Sequence, residues 1–536
     1  MCATNAMFHL DAAAHSVPEP TFPPDTLNSD VSDILRATRP LIDTDRDLIF
    51  PNIEDLRRQV SVYDTLLNRI DEIRSEVQRR HDAVHKAMME YSSSIAPIRR
   101  LPVDVLRSVF REIQISRWGA IGWSQTSLDF SQGPWTLSHV CGAWRDVILS
   151  YPQLWSHIVL RFGSTVRVVN SKKAHSRILI PLEVMILRSK QCPLDIVFRL
   201  DFGYDQDMAE KIFPVILGES RRWRTSELLI PSCILRKLEV VRGKIPCLES
   251  LTLRSLDTLQ SGPSMLAEDI RSLFADAPCL RNIALHGTYG LGDLIFPLHI
   301  TRLTTSNEAV SNLGIYQSLV ECHLEIARRP GGNLDISLPR HIFLPNVRRL
   351  LVPSLRILGH FFLPSLHDLT FTHNLADIRG SIEVVNDFLY RSQCSLTRLA
   401  FSSAFTDDKI FIQDSLLFMD TVVCLEVGLY PSWNREDILL NALASDQFLP
   451  NLQNLHLFHF MASSSQNFLT AMAAPCRRHL RSVKVFCSAP GDVKSLNEQF
   501  APMQLPGQHF IAAREQDHTI SYFGDFIPSN LYVAVD

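Results

Sequence analysis

A spaced apolar pattern, L-x-x-L-x-L, recurs from about residue 190 to the end of the chain and constrains the fold more than any other feature. After a weak first copy, the pattern repeats regularly; the ten copies begin at Trp223, Leu248, Leu280, Leu319, Val347, Leu366, Leu396, Val422, Leu452 and Leu480. Successive copies begin 19 to 39 residues apart, a period typical of stacked units that each contribute one short strand. Since each unit is too small to be stable alone, stacking predicts a continuous parallel sheet with helices on its outer side.

The residue between the two inward-pointing apolar positions of each copy faces outward and is a candidate ligand contact. These middle residues are Thr252, Ala284, His323, Leu351, Thr370, Ala400, Glu426, His456 and Lys484. The polar members Thr252, His323, Thr370, Glu426, His456 and Lys484 are the candidate target-binding residues. The set has no dominant charge and few aromatic rings, so it does not indicate a phosphate ligand or nucleic acid. We expect the array to bind a protein segment by shape and by scattered polar contacts.

Length and composition narrow the class of protein. A chain of 536 residues exceeds what one hydrophobic core supports, and 46% hydrophobic with 21% charged residues predicts a mostly folded protein. The 53 basic and 57 acidic residues give a net charge of −4, which offers no electrostatic footprint for nucleic acid or an anionic membrane. The 11 cysteines are scattered and form no C-x-x-C pair, as expected of reduced thiols. With no long apolar run, we expect no membrane span and a cytoplasmic or nuclear location, or both.

The N-terminal part of the chain divides into a tail and a long helix. Residues 1–50 combine many prolines with little periodic apolar content, which predicts a disordered tail. Residues 53–91 have apolar residues at alternating spacings of three and four, which predicts a long amphipathic helix beginning after an Asn52 cap. Two interpretations remain open for it: a coiled coil that forms a homodimer, or a single helix within one chain. The step from Ile70 to Ile73 and a seam arginine, Arg80, favour the second.

Two motifs lie between residues 98 and 157. The first, IRRLPVDVLRSVFRE, predicts a short amphipathic helix, and the second, WTLSHVCGAWRDVILSYPQLW, resumes helical spacing until Pro152. A glycine- and serine-containing insert separates them. Together they resemble the F-box family, especially its large fungal branch, which pairs an LPxDVLxxVF opening with a WxLSxVCxxWRxVxLSxPxLW closing.

The F-box resemblance implies a three-helix module that docks on the Skp-type adaptor of an SCF-type cullin–RING ubiquitin ligase. Matched by position, the adaptor-binding residues would be Leu101, Pro102, Val105, Leu106, Val109, Val140, Cys141, Trp144, Leu154 and Trp155. Such a chain is a substrate receptor and not an enzyme. A short module with this many large apolar side chains also has more of them than a small core can hide, so a hydrophobic partner surface is expected.

The region 190–490 resembles the leucine-rich-repeat array that commonly follows an F-box. The expected fold is therefore α/β: a long N-terminal helix, a three-helix F-box, and an irregular solenoid with a parallel sheet and convex helices. Segments 265–278 and 436–450 have the amphipathic spacing of such helices, and residues 491–536 are expected to form a C-terminal cap or tail.

Signatures of other chemistry are absent from the sequence. It contains no GxSxG elbow, GxxxxGK[ST] loop or HExxH helix, so no catalytic residue, cofactor or metal is expected. His456 and His459 alternate with apolar residues and are read as repeat residues instead of metal ligands. Two alternatives to a ligase receptor remain open. The first is a non-degradative interaction scaffold, and the second, less favoured by the sequence, is an enzyme with unrecognised residues in the array.

Overall fold

The computed structural model describes residues 2–36, 38–120, 126–163, 171–201, 204, 206–255, 268–286, 291–325, 341–371, 381–402, 419–428, 437–458, 465–473, 479–487, 490–503 and 507–514. The chain divides into two compact units, Met1–Val103 and Asp104–Asp536. The helical segment that follows residue 103 therefore belongs to the same unit as the sheet described below.

The first unit contains three helices, α1 (Cys2–His15), α2 (Asp25–Leu35) and α3 (Asp43–Ser94). This differs from the sequence-based expectation, which gave residues 1–50 no helix and began the long helix at Ile53. The earlier start has a local cause, because the Asp45 carboxylate accepts the Ile42 backbone N–H at 3.1 Å and pairs with Arg39 at 2.7 Å. Asn52 lies inside α3 and donates to the Leu48 carbonyl at 2.7 Å, so its assignment as the helix cap is wrong.

Helix α3 is 52 residues long, about 78 Å at 1.5 Å per residue. Its apolar seam is exposed, as at Leu67 (59%) and Val77 (60%). One stretch of chain lies along it: the Gln59 side chain exchanges two hydrogen bonds with the Thr21 backbone, at 2.9 and 3.0 Å. The choice between a homodimeric coiled coil and a single helix stays a prediction.

The second unit opens with helices α4 (Val103–Ala120), α5 (Gly133–Ser138) and α6 (Gly142–Leu149), followed by a 3₁₀ turn at Pro152–Trp155. The second sequence motif has helical spacing from Val140, and within this motif the structure has two short helices, α5 and α6. Cys141 separates them with an extended backbone, φ −160° and ψ 169°, which is incompatible with an uninterrupted helix.

Sixteen strands occur within the described residues, and all of them pair in parallel. They are β1 (His157–Phe162), β2 (Leu194–Leu200), β3 (Trp223–Ile230), β4 (Ser250–Ser255), β5 (Asn282–His286), β6 (Arg302–Ser306), β7 (Glu321–Glu325), β8 (Ile342–Phe343), β9 (Arg349–Val352), β10 (Phe361–Phe362), β11 (Asp368–Phe371), β12 (Arg398–Ser402), β13 (Cys424–Gly428), β14 (Asn454–Phe458), β15 (Ser482–Cys487) and β16 (His509–Arg514). Strands β8 and β10 form a separate pair, and the other fourteen form one sheet in chain order. The predicted α/β class, the large parallel sheet and the long N-terminal helix are confirmed.

Each of the ten copies of the apolar pattern places its last two apolar residues on a strand of this sheet, but four strands lie outside the copies. Strands β1, β2 and β16 flank the repeats, so the sheet extends beyond the expected range of 190–490 at both ends. The fourth, β6, lies inside the 39-residue step between Leu280 and Leu319. Its pattern, Ile300-x-x-Leu303-x-Thr305, ends in a buried threonine. A pattern that requires an apolar last residue therefore does not identify this strand.

Further helices connect the strands: α7 (Ser171–Ser189), α8 (Gln206–Gly218), α9 (Ser232–Leu235), α10 (Glu268–Arg271), α11 (Ser381–Ser392), α12 (Asp437–Leu443), α13 (Ser465–Met472) and α14 (Pro490–Phe500). The core lies between the inward side of the sheet and these helices, as where Phe213 of α8 packs on Phe198 of β2 with ring centroids 4.9 Å apart. The helices expected within 265–278 and 436–450 are shorter than those segments. Of the expected cap or tail, α14 and β16 continue the array, and residues 515–536 lie outside the described residues.

No helix among the described residues combines the length and the apolar character needed to cross a membrane.

Candidate functional site

The helical module at the start of the second unit has its own aromatic core. The Trp155 indole N–H donates to the Ile148 carbonyl at 3.0 Å, which satisfies its polar atom inside the core. Its ring meets that of Trp135 edge to face, with centroids 4.9 Å apart. The Arg188 guanidinium of α7 lies 4.5 Å from the Trp155 ring centroid, a cation–π contact that ties the module to the next helix.

Helices α4 and α6 pack antiparallel in this module. Phe110 of α4 contacts Trp144 of α6 edge to face, with ring centroids 4.8 Å apart. One turn earlier on α4, Arg107 lies over the ring of Tyr151, which follows α6. The N-terminal end of α4 therefore lies toward the C-terminal end of α6.

The ten residues that the resemblance assigns to adaptor docking occupy three environments. Pro102, Val105 and Val140 are exposed; Leu101, Val109, Cys141 and Trp144 are half-buried; and Leu106, Leu154 and Trp155 are buried. The three buried residues do not reach the surface, so their role in docking would be to hold the exposed residues in place through core packing. Val140 is 57% exposed and Val105 39%. They stand toward opposite ends of the α4–α6 pair, so the structure does not join them into one compact patch.

The module is attached to the first strand of the sheet by backbone hydrogen bonds. The Ser127 N–H donates to the Val159 carbonyl at 2.9 Å, and the Val159 N–H donates to Ser127 Oγ at 3.0 Å. The Gln114 amide of α4 donates to the Leu154 carbonyl at 3.0 Å. The two Ser127 contacts satisfy the Val159 backbone N–H and C=O on the outer edge of β1, where these groups would otherwise be open to another chain.

A cleft of about 650 Å³ lies where the module meets the first four strands of the sheet. Its walls include Arg111 of α4, His157 of β1 and Asp195 of β2. Asp195 is held by Arg224, whose Nε lies 3.0 Å from Oδ1, and this hydrogen bond raises the pKa of Arg224. Desolvation lowers the pKa of His157 below its ordinary value. Most of the residues that line the cleft are polar or charged, and among them Asp195 accepts hydrogen bonds from Arg224 and Thr225.

The middle residues of the repeats form one continuous line across the sheet, which we call the central row. Register pairs each with the next, from Thr252 through Ala284, Thr304, His323, Leu351, Thr370, Ala400, Glu426 and His456 to Lys484. Exposure varies along it. Lys484 is exposed and Thr252, Glu426 and His456 are half-buried. His323, Leu351, Thr370 and Ala400 are at most 4% exposed, so the expectation that every middle residue faces solvent is wrong for these four.

A second row of residues, two positions before the central row on each strand, carries alternating charges. The side chains of this charged row project from the same face of the sheet as the central row, because residues two apart on a strand share a face. Its members are Arg302, Glu321, Arg349, Asp368 and Arg398. The N–O distances are 3.0 Å for Arg302–Glu321, 3.5 Å for Arg349–Glu321, 3.2 Å for Arg349–Asp368 and 2.7 Å for Arg398–Asp368.

Sequence reasoning missed the charged row, although a signal was present. Each member directly precedes the second apolar residue of its repeat, as Asp368 precedes Leu369. The alternation of sign is already present from Glu321 through Arg349 and Asp368 to Arg398, and β6 extends it by Arg302. The row then ends in Glu426 and His456 of the central row, because Arg398 also pairs with Glu426 at 2.5 Å.

Burial and charge act in opposite directions on the pKa values of these groups. Burial alone would raise the pKa of Glu426, but hydrogen bonds from His456 and Arg398 more than offset it and leave the pKa below its usual range. Burial likewise opposes the charged form of Arg398, and the carboxylates of Glu426 and Asp368 raise its pKa in spite of it. For His323, burial and the positive charges of Arg349 and Arg302 act together and lower the pKa to about 3.

From β6 to β14, this face of the sheet is thus polar, internally paired and nearly balanced in charge. Ion pairs that cross from strand to strand hold the side chains in register, and they extend over roughly 30 Å from β6 to β14. The arrangement offers a ligand alternating donors and acceptors, without the positive excess that a polyphosphate or nucleic acid requires.

Neither a scan against models of protein families nor a search of curated proteins finds a match to this chain.

Proposed function

We propose that this chain is an F-box protein with leucine-rich repeats, the substrate receptor of an SCF-type cullin–RING ubiquitin ligase. Residues 98–157 bind the Skp-type adaptor, and the repeat array binds a protein target. The chain performs no chemistry itself. It holds the target beside the recruited ligase, which raises the effective concentration of the target's lysines near the ubiquitin-carrying enzyme.

The observation that carries this proposal is that the two F-box-like motifs form three helices around a filled core, with Val105 and Val140 left exposed at motif positions. Leu106, Leu154 and Trp155 occupy the interior, so Val105 and Val140 are not needed there. Single exposed apolar side chains are common on protein surfaces, so the two valines support a partner surface through their motif positions and not by forming a patch. The same positions match the docking residues of the F-box family.

The ordered face of the sheet supports the second half of the proposal. Ten repeats lie in unbroken parallel register, as a leucine-rich-repeat solenoid requires. The central and charged rows present polar groups at the spacing of the strands, about 4.8 Å. A protein segment with complementary charges can pair with such a surface, and the half-buried or exposed residues Thr252, Glu426, His456 and Lys484 are its first candidate contacts.

The test is recovery of partners by the full-length chain and by Val105→Asp. Because Val105 is exposed, the substitution leaves the core intact, while a carboxylate buried at an interface costs about 1.4 kcal/mol or more, a factor of about ten in affinity. We expect the intact chain to recover the Skp-type adaptor and cullin, and the variant to recover about a tenth as much. Leu298→Ala is the matched control, since Leu298 is also exposed and apolar but lies between β5 and β6.

The same samples distinguish a ligase receptor from a scaffold. If a partner bound by the repeats becomes ubiquitinated and accumulates with Val105→Asp, the chain is a receptor. If adaptor binding is lost while the partner's ubiquitination and abundance stay unchanged, it is a non-degradative scaffold. Equal adaptor recovery by the intact chain, Val105→Asp and a Leu101→Ala, Pro102→Ala double variant would contradict the F-box assignment.

A further inference from the structure

A cysteine, a glutamate and a histidine come together on two neighbouring strands of the sheet. Cys424 and Glu426 lie two residues apart on β13 and therefore share a face of the strand. His456 on β14 is directly opposite Glu426. Their ligand atoms, the thiol sulfur, a carboxylate oxygen and a ring nitrogen, all lie within 4.8 Å of one another, and all three residues are half-buried. Across the described residues, no other trio of His, Cys, Asp or Glu has this spacing.

The donor set identifies the kind of ion that such a trio would hold. A sulfur, an imidazole nitrogen and a carboxylate oxygen are the ligands that zinc takes in proteins, whereas calcium and magnesium take oxygen alone. We propose that Cys424, Glu426 and His456 bind one Zn²⁺ ion. Three protein ligands leave a fourth tetrahedral position, which a water molecule fills.

The residues around the trio are arranged to orient it. Arg398 contacts both carboxylate oxygens of Glu426: its Nη2 donates to Oε2 at 2.5 Å and its Nε donates to Oε1 at 3.1 Å. Oε1 also lies 3.2 Å from His456 Nδ1, so an ion bound to Oε1 would replace the Nε contact while Oε2 keeps its bond to Arg398. Fixing a ligating carboxylate through its second oxygen is how outer groups orient metal ligands.

The charge balance around the trio tolerates a cation once the thiol is deprotonated. The charged neighbours of Cys424 are Glu426, Arg398, Asp368 and Lys484. A Cys424 thiolate with the two carboxylates then outweighs the two cations by one negative charge. The bond to zinc forms as the sulfur loses its proton to solvent, and this release opposes binding because burial raises the pKa of the Cys424 thiol to about 12.

This inference is independent of the proposed adaptor docking, although Glu426 and His456 are also candidate target contacts. The trio lies on β13 and β14, far along the chain from the docking residues of α4 and α6. Loss of adaptor binding by Val105→Asp says nothing about the ion, and loss of the ion by Cys424→Ser is expected to leave adaptor recovery unchanged. Failure of one proposal can therefore be told from failure of the other.

The test uses cobalt as a spectroscopic substitute for zinc in the full-length chain, purified without a histidine tag and stripped with a chelator. Cobalt bound to a thiolate gives a near-ultraviolet charge-transfer band. We expect this band to saturate at one ion per chain and to disappear in Cys424→Ser. His456→Gln and Glu426→Gln should weaken binding by about tenfold or more. Cys279→Ser and His367→Gln, which remove an exposed cysteine and an exposed histidine, should bind as the unaltered chain does.

A second measurement needs no variant and so does not depend on how well the variants fold. Zinc should slow alkylation of Cys424 in the unaltered chain and leave the rate at Cys279 unchanged, as read by mass spectrometry of the digested protein. The proposal is overturned if cobalt gives no saturable band, if Cys424→Ser keeps the band while remaining folded, or if zinc leaves alkylation of Cys424 unchanged.

Discussion

The buried histidine of β7 makes the stability of the sheet depend on pH in a calculable way. His323 is 4% exposed, and burial together with the charges of Arg349, Arg302 and His286 lowers its pKa from 6.5 to about 3. Between these two values the unfolded chain binds a proton that the folded chain does not. Stability therefore rises with pH across this window and is lost as the pH falls from 6.5 toward 3.

The magnitude follows from the two pKa values. At pH 8 neither state protonates this histidine, whereas at pH 5 nearly every unfolded chain carries the proton and almost no folded chain does. The resulting loss is about 2 kcal/mol of unfolding free energy between pH 8 and pH 5. His323→Asn removes the titrating group. Urea denaturation followed by circular dichroism should therefore show a pH 8 to pH 5 loss that is about 2 kcal/mol smaller in the variant than in the unaltered chain.

Comparing the pH 8 to pH 5 loss of unfolding free energy between a variant and the unaltered chain removes the contribution of other groups that titrate in the same range. His367→Asn is the matched control, because it removes an exposed histidine of the neighbouring β9–β11 connection. Its pH dependence should follow that of the unaltered chain. If His323→Asn loses as much stability between pH 8 and pH 5 as the unaltered chain does, within about 0.5 kcal/mol, the reasoning is refuted.

Three further predictions concern the module, the charged row and the long helix. Trp155→Ala should lower the unfolding free energy by about 3 to 5 kcal/mol in a urea titration, because it empties the core of the helical module; a loss below 1 kcal/mol would contradict that role. Arg398→Met should lower the unfolding free energy by roughly 2 kcal/mol, since Asp368 and Glu426 lose a shared partner. Arg302→Met, at the exposed end of the charged row, should lower it by less than about 1 kcal/mol. Equal losses in the two variants would argue against a stabilising role of the charged row. For α3, sedimentation should show a monomer that Arg80→Leu, but not Arg79→Leu, converts toward a dimer by extending the apolar seam; a dimer of the unaltered chain would refute the single-helix interpretation.

Much of the sheet could be predicted because its strands are short and their inward positions are apolar and regularly spaced. The alternating residues Leu251 and Leu253, for example, predict β4. Strand β6 was missed because Thr305 replaces the last apolar residue, although its side chain is buried as deeply as the leucines elsewhere. The pattern therefore reports the chemistry of a side chain and not the burial of its position.

The candidate site was predictable in position but not in environment. Spacing alone placed Glu426 and His456 at equivalent points of adjacent repeats, and register then set them directly opposite each other. What spacing did not indicate was that Cys424 lies with them. Nor did it indicate that His323 would be buried while Lys484, in the same row, stays exposed.

The helical module shows the same division. Its two motifs determined where helices form, since apolar spacing and proline positions act over a few residues. The break at Cys141, the antiparallel packing of α4 on α6 and the choice of which motif residues are buried came only from the tertiary structure. By itself, the sequence determined the repeat period, the parallel sheet and the helical segments, because these depend on local periodicity. The ion-paired rows, the buried histidine and the Cys–Glu–His trio were decided by tertiary structure, because they join residues about 20 to 30 positions apart through strand register.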